Sequence, residues 1–442
     1  MTPNETSSAN QAADASPSSG GPDQPSPSAQ SLHGLDGLNF LMADVRDGVG
    51  PYLSVFLRGA QHWAPGDIGL AMAASSLAAA LCQIPAGLLV DALKVKRLLV
   101  AGSGVLVAAG CLLIVFFPHL PAVIAGQVML GAASAVIPPA LAALSLGLVG
   151  QRLLPARVSR NEGFNHGGNF AAAGLAGLLG QQFGYHWIFY LVCIFAVASA
   201  VVVTLIKPGE INHALARGGD GHPGQGKHAV PIGDLLKNRN LLVFLGSVVL
   251  FHLGNAAMLP MAGQVLAVKH PNADVEAMSA CIIAAQLVMI GVAAAVGWAM
   301  KRGVGRKTIF LVGLAVLPVR GFLFTLTDSP VGVVSIQLLD GVAAGIFGVI
   351  SIVIAADLMR GTGRFNLAQG LVALCTGAGA AGSNLLGGFV IGRFGYHAAF
   401  LSLAAIAVGA LGFFVVLMPE TRDLGQGGDR DGNQPEAMPS AA

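Results

Sequence analysis

The sequence predicts an all-α polytopic membrane protein with twelve transmembrane helices in two pseudo-symmetric six-helix bundles. Three observations predict it. Of 442 residues, 54% are hydrophobic and only 10% charged, where soluble domains carry about 25% charged residues. Apolar windows long enough to span a bilayer recur twelve times. The two halves of the chain also repeat each other at a nearly constant offset.

The apolar segments fall near residues 38–57, 68–90, 98–117, 123–148, 163–179, 187–206, 241–268, 277–300, 308–326, 331–358, 367–391 and 395–418. Residues 1–34, rich in Ser, Pro, Ala and Asn, are expected to be a disordered tail, with no basic n-region and apolar h-region of a signal peptide. Residues 35–206 and 241–419 are the expected bundles, joined by a polar central loop at 207–240, and residues 420–442 are a second tail.

Basic residues set the orientation. Alternate connections hold Lys94, Lys96 and Arg97; Arg152, Arg157 and Arg160; Lys207, Arg217, Lys227, Lys237 and Arg239; Lys301, Arg302, Arg306 and Lys307; and Arg360 and Arg364. The other connections offer only Arg58, Lys269 and Arg393. By the positive-inside rule the first set is cytoplasmic. An even number of spans then places both termini in the cytoplasm, in a bacterial-type inner membrane. The net charge of +2 gives no basis for nucleic-acid binding.

The repeat is visible in several places. Gln127 and Gly131 match Gln337 and Gly341, Phe183-Gly184-Tyr185-His186 recurs as Phe394-Gly395-Tyr396-His397, and Pro51 matches Pro260. Gly87, Asp91, Lys96 and Arg97 after the second segment match Gly297, Lys301, Arg306 and Lys307 after the eighth. Parallel six-helix repeats are a secondary-transporter plan with the site between the halves.

At these loops the sequence resembles the major facilitator superfamily. That family carries Gly-x-x-x-Asp-Arg-x-Gly-Arg-Arg/Lys between helices 2 and 3, and a degenerate copy between helices 8 and 9. Gly87, Asp91, Lys96 and Arg97 fit the first copy, with Ala92 and Lys94 departing from it. Gly297, Arg302, Gly305, Arg306 and Lys307 fit the second, with Lys301 at the acidic position. The resemblance implies that these loops gate the cytoplasmic side, with Asp91 pairing with a basic residue or capping a neighbouring helix. It also implies a cavity lined by helices 1, 4, 7 and 10. Two motifs of proton-driven members are missing. Gln127 stands where an arginine precedes Gly131, and the fifth segment lacks the proline of Gly-Pro-x-x-Gly-Gly.

Charges within apolar segments are the candidate site residues, because each costs about 2.5–3.5 kcal/mol at a helix centre unless it is paired or wetted. The first segment holds Asp44, Arg46 and Asp47, followed by Gly48, Gly50 and Pro51, which can kink it. Asp44 and Asp47 share a face; either is a proton-coupling candidate, against the alternative of a structural ion-pair network. Asp340 in the tenth segment is a further candidate, with Arg320 as its expected buried partner. Gln127, Asn165, His166, Asn169, His252 and Asn255 complete the polar set, each also readable as an interhelical hydrogen-bonding residue.

The five cysteines lie in apolar segments without metal-ligand spacing, and no nucleotide or metalloenzyme motif occurs. The expectation is a monomeric, non-enzymatic secondary transporter without cofactor or metal. It moves a small organic solute by alternating access, coupled to protons and in contact with membrane lipid. Efflux is favoured, with proton-linked uptake of a metabolite or siderophore and a non-transporting sensor as alternatives.

Overall fold

The computed structural model describes residues 27–47, 49–213, 215–217, 237–360, 362 and 365–422, without the side chains of Asp47, Gln151, Arg152, Pro155, Arg217 and Asn366. Most of the expected tails and central loop therefore lie outside the described residues. The described chain is helical: α1 (Ala29–Asp47), α2 (Val49–Val55), α3 (Pro65–Ala92), α4 (Lys96–Phe116), α5 (Leu120–Phe183), α6 (His186–Val202), α7 (Arg239–Asn255), α8 (Met258–Lys269), α9 (Asp274–Lys301), α10 (Arg306–Leu323), α11 (Pro330–Leu358) and α12 (Phe365–Leu417). A π-helical turn, Phe56–Ala60, continues α2.

Two long helices contain a break. In α5 Gly150 takes φ 69° and ψ 172°, and in α12 Gly395 takes φ 81° and ψ 174°. These are glycine conformations, so each helix is two arms, 120–149 with 151–183 and 365–394 with 396–417. The expected loop after residue 148 is thus almost wholly helical, and Arg157 and Arg160 sit on a helix.

The helical start is also earlier than expected. Ala29 to Gly34 belong to α1 because Glu210 secures its first turn. The Ser28 N–H and Oγ both donate to Glu210 Oε2 at 3.0 Å, and Lys207 N–H donates to Ser31 Oγ at 3.0 Å. Hydrogen bonds from Ser31 and Ser28, with Lys207 beside it, hold the half-buried Glu210 carboxyl down at a pKa of about 2.

The sequence repeat persists in three dimensions. Gly184 and Gly395, equivalent in the repeat, both have positive φ. A Cβ on Gly131 would strike the Ser75 carbonyl and the Ala78 side chain. One on Gly341 would strike the Ala285 carbonyl and the Val288 side chain, 210 positions on in each case. Between α7 and α8 the Ala257 N–H, free of the helix, donates to Ser383 Oγ at 3.0 Å.

Among the described residues, eight stretches are long and apolar enough to cross a membrane. Those that fall short, 29–47, 151–183 and 306–323, carry the charges discussed below. Buried apolar residues gather in three clusters. One is drawn from residues 35–216 with only Ala267, Val275 and Met278 from the second half, and the other two come from 241–418.

Candidate functional site

The two halves of the chain are zipped together at the end that carries Trp63, Tyr185 and Asp274. Small residues permit the contact. Cβ atoms on Gly177 and Gly180 would collide with Ser279 and Val275, and one on Gly388 with the Pro65 carbonyl. Polar groups fasten the same end. The fully buried Tyr52 hydroxyl lies 2.6 Å from Ser279 Oγ and 3.4 Å from the Ala173 carbonyl, joining three helices. The Tyr185 hydroxyl donates to Asp274 Oδ2 at 2.5 Å, and Gln181 Nε2 donates to the Asn272 carbonyl at 2.5 Å. One further bridge lies deeper, where His166 Nδ1 donates to Gln286 Oε1 at 2.8 Å, the tautomer being assigned from the acceptor.

Toward the opposite end lies a cavity of about 730 Å³, lined almost wholly by the first half and met on its other side by residues 367–370; α7 and α11 contribute nothing to it, contrary to the expected lining by helices 1, 4, 7 and 10. Its wall comes from residues 39–46 of α1, 83–91 of α3, both arms of α5 and residues 367–370 of α12. Met42, Ile84, Ile137, Pro138 and Leu141 make it apolar, while Asn39, Arg46, Gln83, Asp91, Glu162, Asn165 and Gln369 make it polar in places. A concave apolar site with a few polar groups is the form of a small-molecule site.

Of the candidates from sequence, Arg46 and Asn165 line the cavity. Asp44 is buried on the same helix, behind the lining. The Asp47 side chain lies outside the described residues. Gln127 is buried with its Nε2 unpartnered, and Asn169 is half-buried. His252 Nδ1 donates to the Val248 carbonyl of its own helix at 3.0 Å, and its ring sits edge-on to Phe347.

Asn255 and Asp340 belong to a second, separate polar centre. Arg320, 1% exposed, lies 2.8 Å from Asp340 Oδ1. It also donates to Asn255 Oδ1 at 2.5 Å and to Gln337 Oε1 at 2.8 Å. Asp340 in turn accepts from Asn255 at 3.3 Å and Gln337 at 2.7 Å. Every charge in this network has a counter-charge and amide partners, as a buried pair requires.

The loop residues behave differently in the two halves. Asp91 is exposed at the cavity wall and, among the described residues, has no ion pair and caps no helix, contrary to the expectation for it. Lys96 folds back instead, donating to the Val90 and Leu93 carbonyls at 2.7 and 3.2 Å at the end of α3. Arg97 donates to the Val203 carbonyl at 3.0 Å, and Gly87 lines the cavity. In the second half Arg306 donates to Asp357 Oδ2 at 3.1 Å. The N–H groups of Arg306 and Lys307 donate to Glu420, and Lys307 Nζ to the Val415 carbonyl. Arg302 stacks on Trp298 at 4.0 Å, one turn beyond Gly297.

Sequence reasoning missed the Asp36 centre. Arg157 and Arg160 both bind its carboxylate, at 2.5 and 2.8 Å, and Asn161 links Arg157 to Ser145. Asp36 was hidden in the supposed tail boundary. It also missed Asp357 and Glu420, whose positions at helix ends read as ordinary flanking charge.

The family profile described as Major Facilitator Superfamily matches residues 36–364 and 246–436. Two relatives from strains of Mycobacterium tuberculosis, both described as uncharacterized MFS-type transporters, are 45% identical over 391 residues. The match covers 88% of this chain and 93% of theirs. Among solved structures, nucleoside transporter NupG superposes with a TM-score of 0.72 at 15% identity, covering 88% of this chain and 100% of that one. The D-xylose-proton symporter superposes at 0.65 with 13% identity, covering 89% and 98%. With its helical pairs, its internal repeat and its cavity between halves, the chain belongs to the major facilitator superfamily and is a multi-pass membrane transporter.

Proposed function

We propose that the protein is a proton-coupled secondary transporter of a small organic solute. It crosses the membrane twelve times as two six-helix bundles, residues 35–206 and 241–419, which rock about the site between them. The basic connections and both termini are cytoplasmic, so the cavity faces inward and the zipped end faces out. The seal between the two halves is the single observation that carries the reading: it closes one end, a concave cavity lies toward the other, and rigid-body rocking can release such contacts.

Asp44, Asp47 and Asp340 are the coupling candidates. Asp340 is held by a counter-charge and two amides, so protonation there would free Arg320 to find other partners. Efflux is the favoured direction, and proton-linked uptake of a metabolite is the second reading. Nucleosides and D-xylose, the solutes named for the structural neighbours, lead the panel to be tested. Reconstituted in proteoliposomes, the protein should move its solute faster when a pH gradient is imposed. Asp44→Asn, Asp47→Asn or Asp340→Asn should uncouple the two. Flux indifferent to the gradient and to all three substitutions would refute proton coupling.

A further inference from the structure

Glu162 stands one turn before His166 on the second arm of α5. It is exposed at the cavity wall, and among the described residues it has no hydrogen bond or ion pair. Its neighbours are accounted for. Arg157 and Arg160, on the preceding turns, are both bound to Asp36 of α1. Across the cavity the charged groups are Arg46 of α1 and Asp91 of α3, and α12 adds only the neutral Gln369.

At its far end this arm meets α6, where Gly180 lies against Ile188; along its length it packs on α9, and those two helices run antiparallel in a fixed register. Gly180 meets Val275, Gly177 meets Ser279, and His166 meets Gln286. Continued one turn inward, that register sets Glu162 against residues 290–293. From Leu287 to Gly297 α9 reads Leu-Val-Met-Ile-Gly-Val-Ala-Ala-Ala-Val-Gly, with no polar side chain. Zipping the cavity end as the other end is now zipped would press this carboxyl onto an apolar, small-residue face. Water would be excluded and no donor would replace it. An ionised carboxylate resists such burial, and a neutral acid does not.

We infer that Glu162 is a proton-binding site of the transport cycle, and that its protonation licenses closure of α5 onto α9 at the cavity end. This rests on the transport reading above but adds a residue and a step to it. The proton enters from the cavity while that end is open. It neutralises Glu162 and is carried into the closed state. It leaves when the cavity end reopens. Arg46 and Asp91 tune the occupancy from across the cavity, and the substrate need not touch Glu162.

The test needs no identified solute. Ala293 lies on the face of α9 that bears Ser279 and Gln286, so a cysteine there reports closure directly. Ala293→Cys is placed in a full-length chain whose five native cysteines are alanine, in proteoliposomes, and its rate of labelling by N-ethylmaleimide is measured. The rate should fall about tenfold between about pH 8 and pH 5.5, as a two-state shift of that size gives. With Glu162→Gln it should be low at both pH values, within about twofold. Glu162→Asp, which keeps the proton site, should keep the pH dependence, and this guards against a merely misfolded glutamine variant. The inference is overturned if Glu162→Gln titrates as the parent does, or if the parent does not respond to pH. In the second case a response to a nucleoside or sugar would leave alternating access standing. No response to pH or to any solute would count against the transport reading as well.

Discussion

The Arg320–Asp340 centre allows a prediction whose sign is set by which charge is stranded. Removing one partner of a buried pair costs about 3–5 kcal/mol in general, but the stranded partner can limit that cost by becoming neutral. For a carboxyl whose ordinary pKa is near 3.9, taking up a proton at pH 7 costs about 4 kcal/mol, at 1.36 kcal/mol per unit. For a guanidinium near 12.5, losing one costs about 7 kcal/mol or more. Exposure points the same way: the Arg320 side chain is 1% exposed and that of Asp340 19%. Asp340→Leu, which leaves a fully buried cation with only Asn255 and Gln337 as acceptors, should therefore lower the unfolding temperature more than Arg320→Met does. The double variant should be more stable than Asp340→Leu alone, because the stranded charge is gone. The assay is the apparent unfolding temperature in detergent, followed by intrinsic fluorescence at pH 7 for the four proteins side by side. If Arg320→Met is the more damaging change, or the double variant recovers nothing, desolvation of the guanidinium is not the governing cost.

Other substitutions test separate contacts. Tyr185→Phe strips the buried Asp274 of its hydroxyl donor, a loss of about 1–3 kcal/mol. Amide exchange over 272–280 should quicken, and unchanged exchange would show that the seal does not depend on this bond. Gly168→Leu should drive α5 from the Phe40 carbonyl of α1 and cost about 1–3 kcal/mol by overpacking. Gly163→Ala, which meets nothing within 4 Å, should leave the unfolding temperature unchanged or higher. Glu420→Ala removes the acceptor for the Arg306 and Lys307 N–H groups and should fray the start of α10 by about 1 kcal/mol, read as faster exchange there and not in α4. Glu210 has its folded-state pKa depressed to about 2. Its contribution is therefore complete above the ordinary carboxyl pKa and is lost as pH falls from there toward about 2. Exchange at Ser28–Ser31 should rise on acidification below about pH 4, and Glu210→Gln should show the acid behaviour at neutral pH.

Family membership, the helical class and the repeat could all be read in the sequence, because each depends on pattern alone: apolar period, glycine position and basic loops. Gly184 and Gly395 show how far this reaches, since two matched letters became two matched backbone turns. The Arg320–Asp340 partnership was also within reach, because two opposite charges in apolar segments have few other places to go. Asp36 was not, since its partners lie 121 and 124 residues away and it stands just outside the apolar segment that starts at residue 38. Asp91 misled for a related reason: its loop motif says which residue types are present, while the state of the cavity decides whether they touch.

The charges divide by what holds them, and that division orders their possible roles. Asp36 is bonded by two arginines and Asp340 by an arginine and two amides, and displacing either breaks several bonds at once. Glu162 and Asp91 face the cavity with no bond to break. A group that must change protonation or partner in every cycle is better placed in the second class, because its bound and free forms differ less in energy while the cavity is open. The first class joins α1 to the second arm of α5, and α7 to α10 and α11. The ordering predicts that the pH response of the proposed cycle follows the cavity-facing carboxylates more than Asp340, and that stability follows the buried networks.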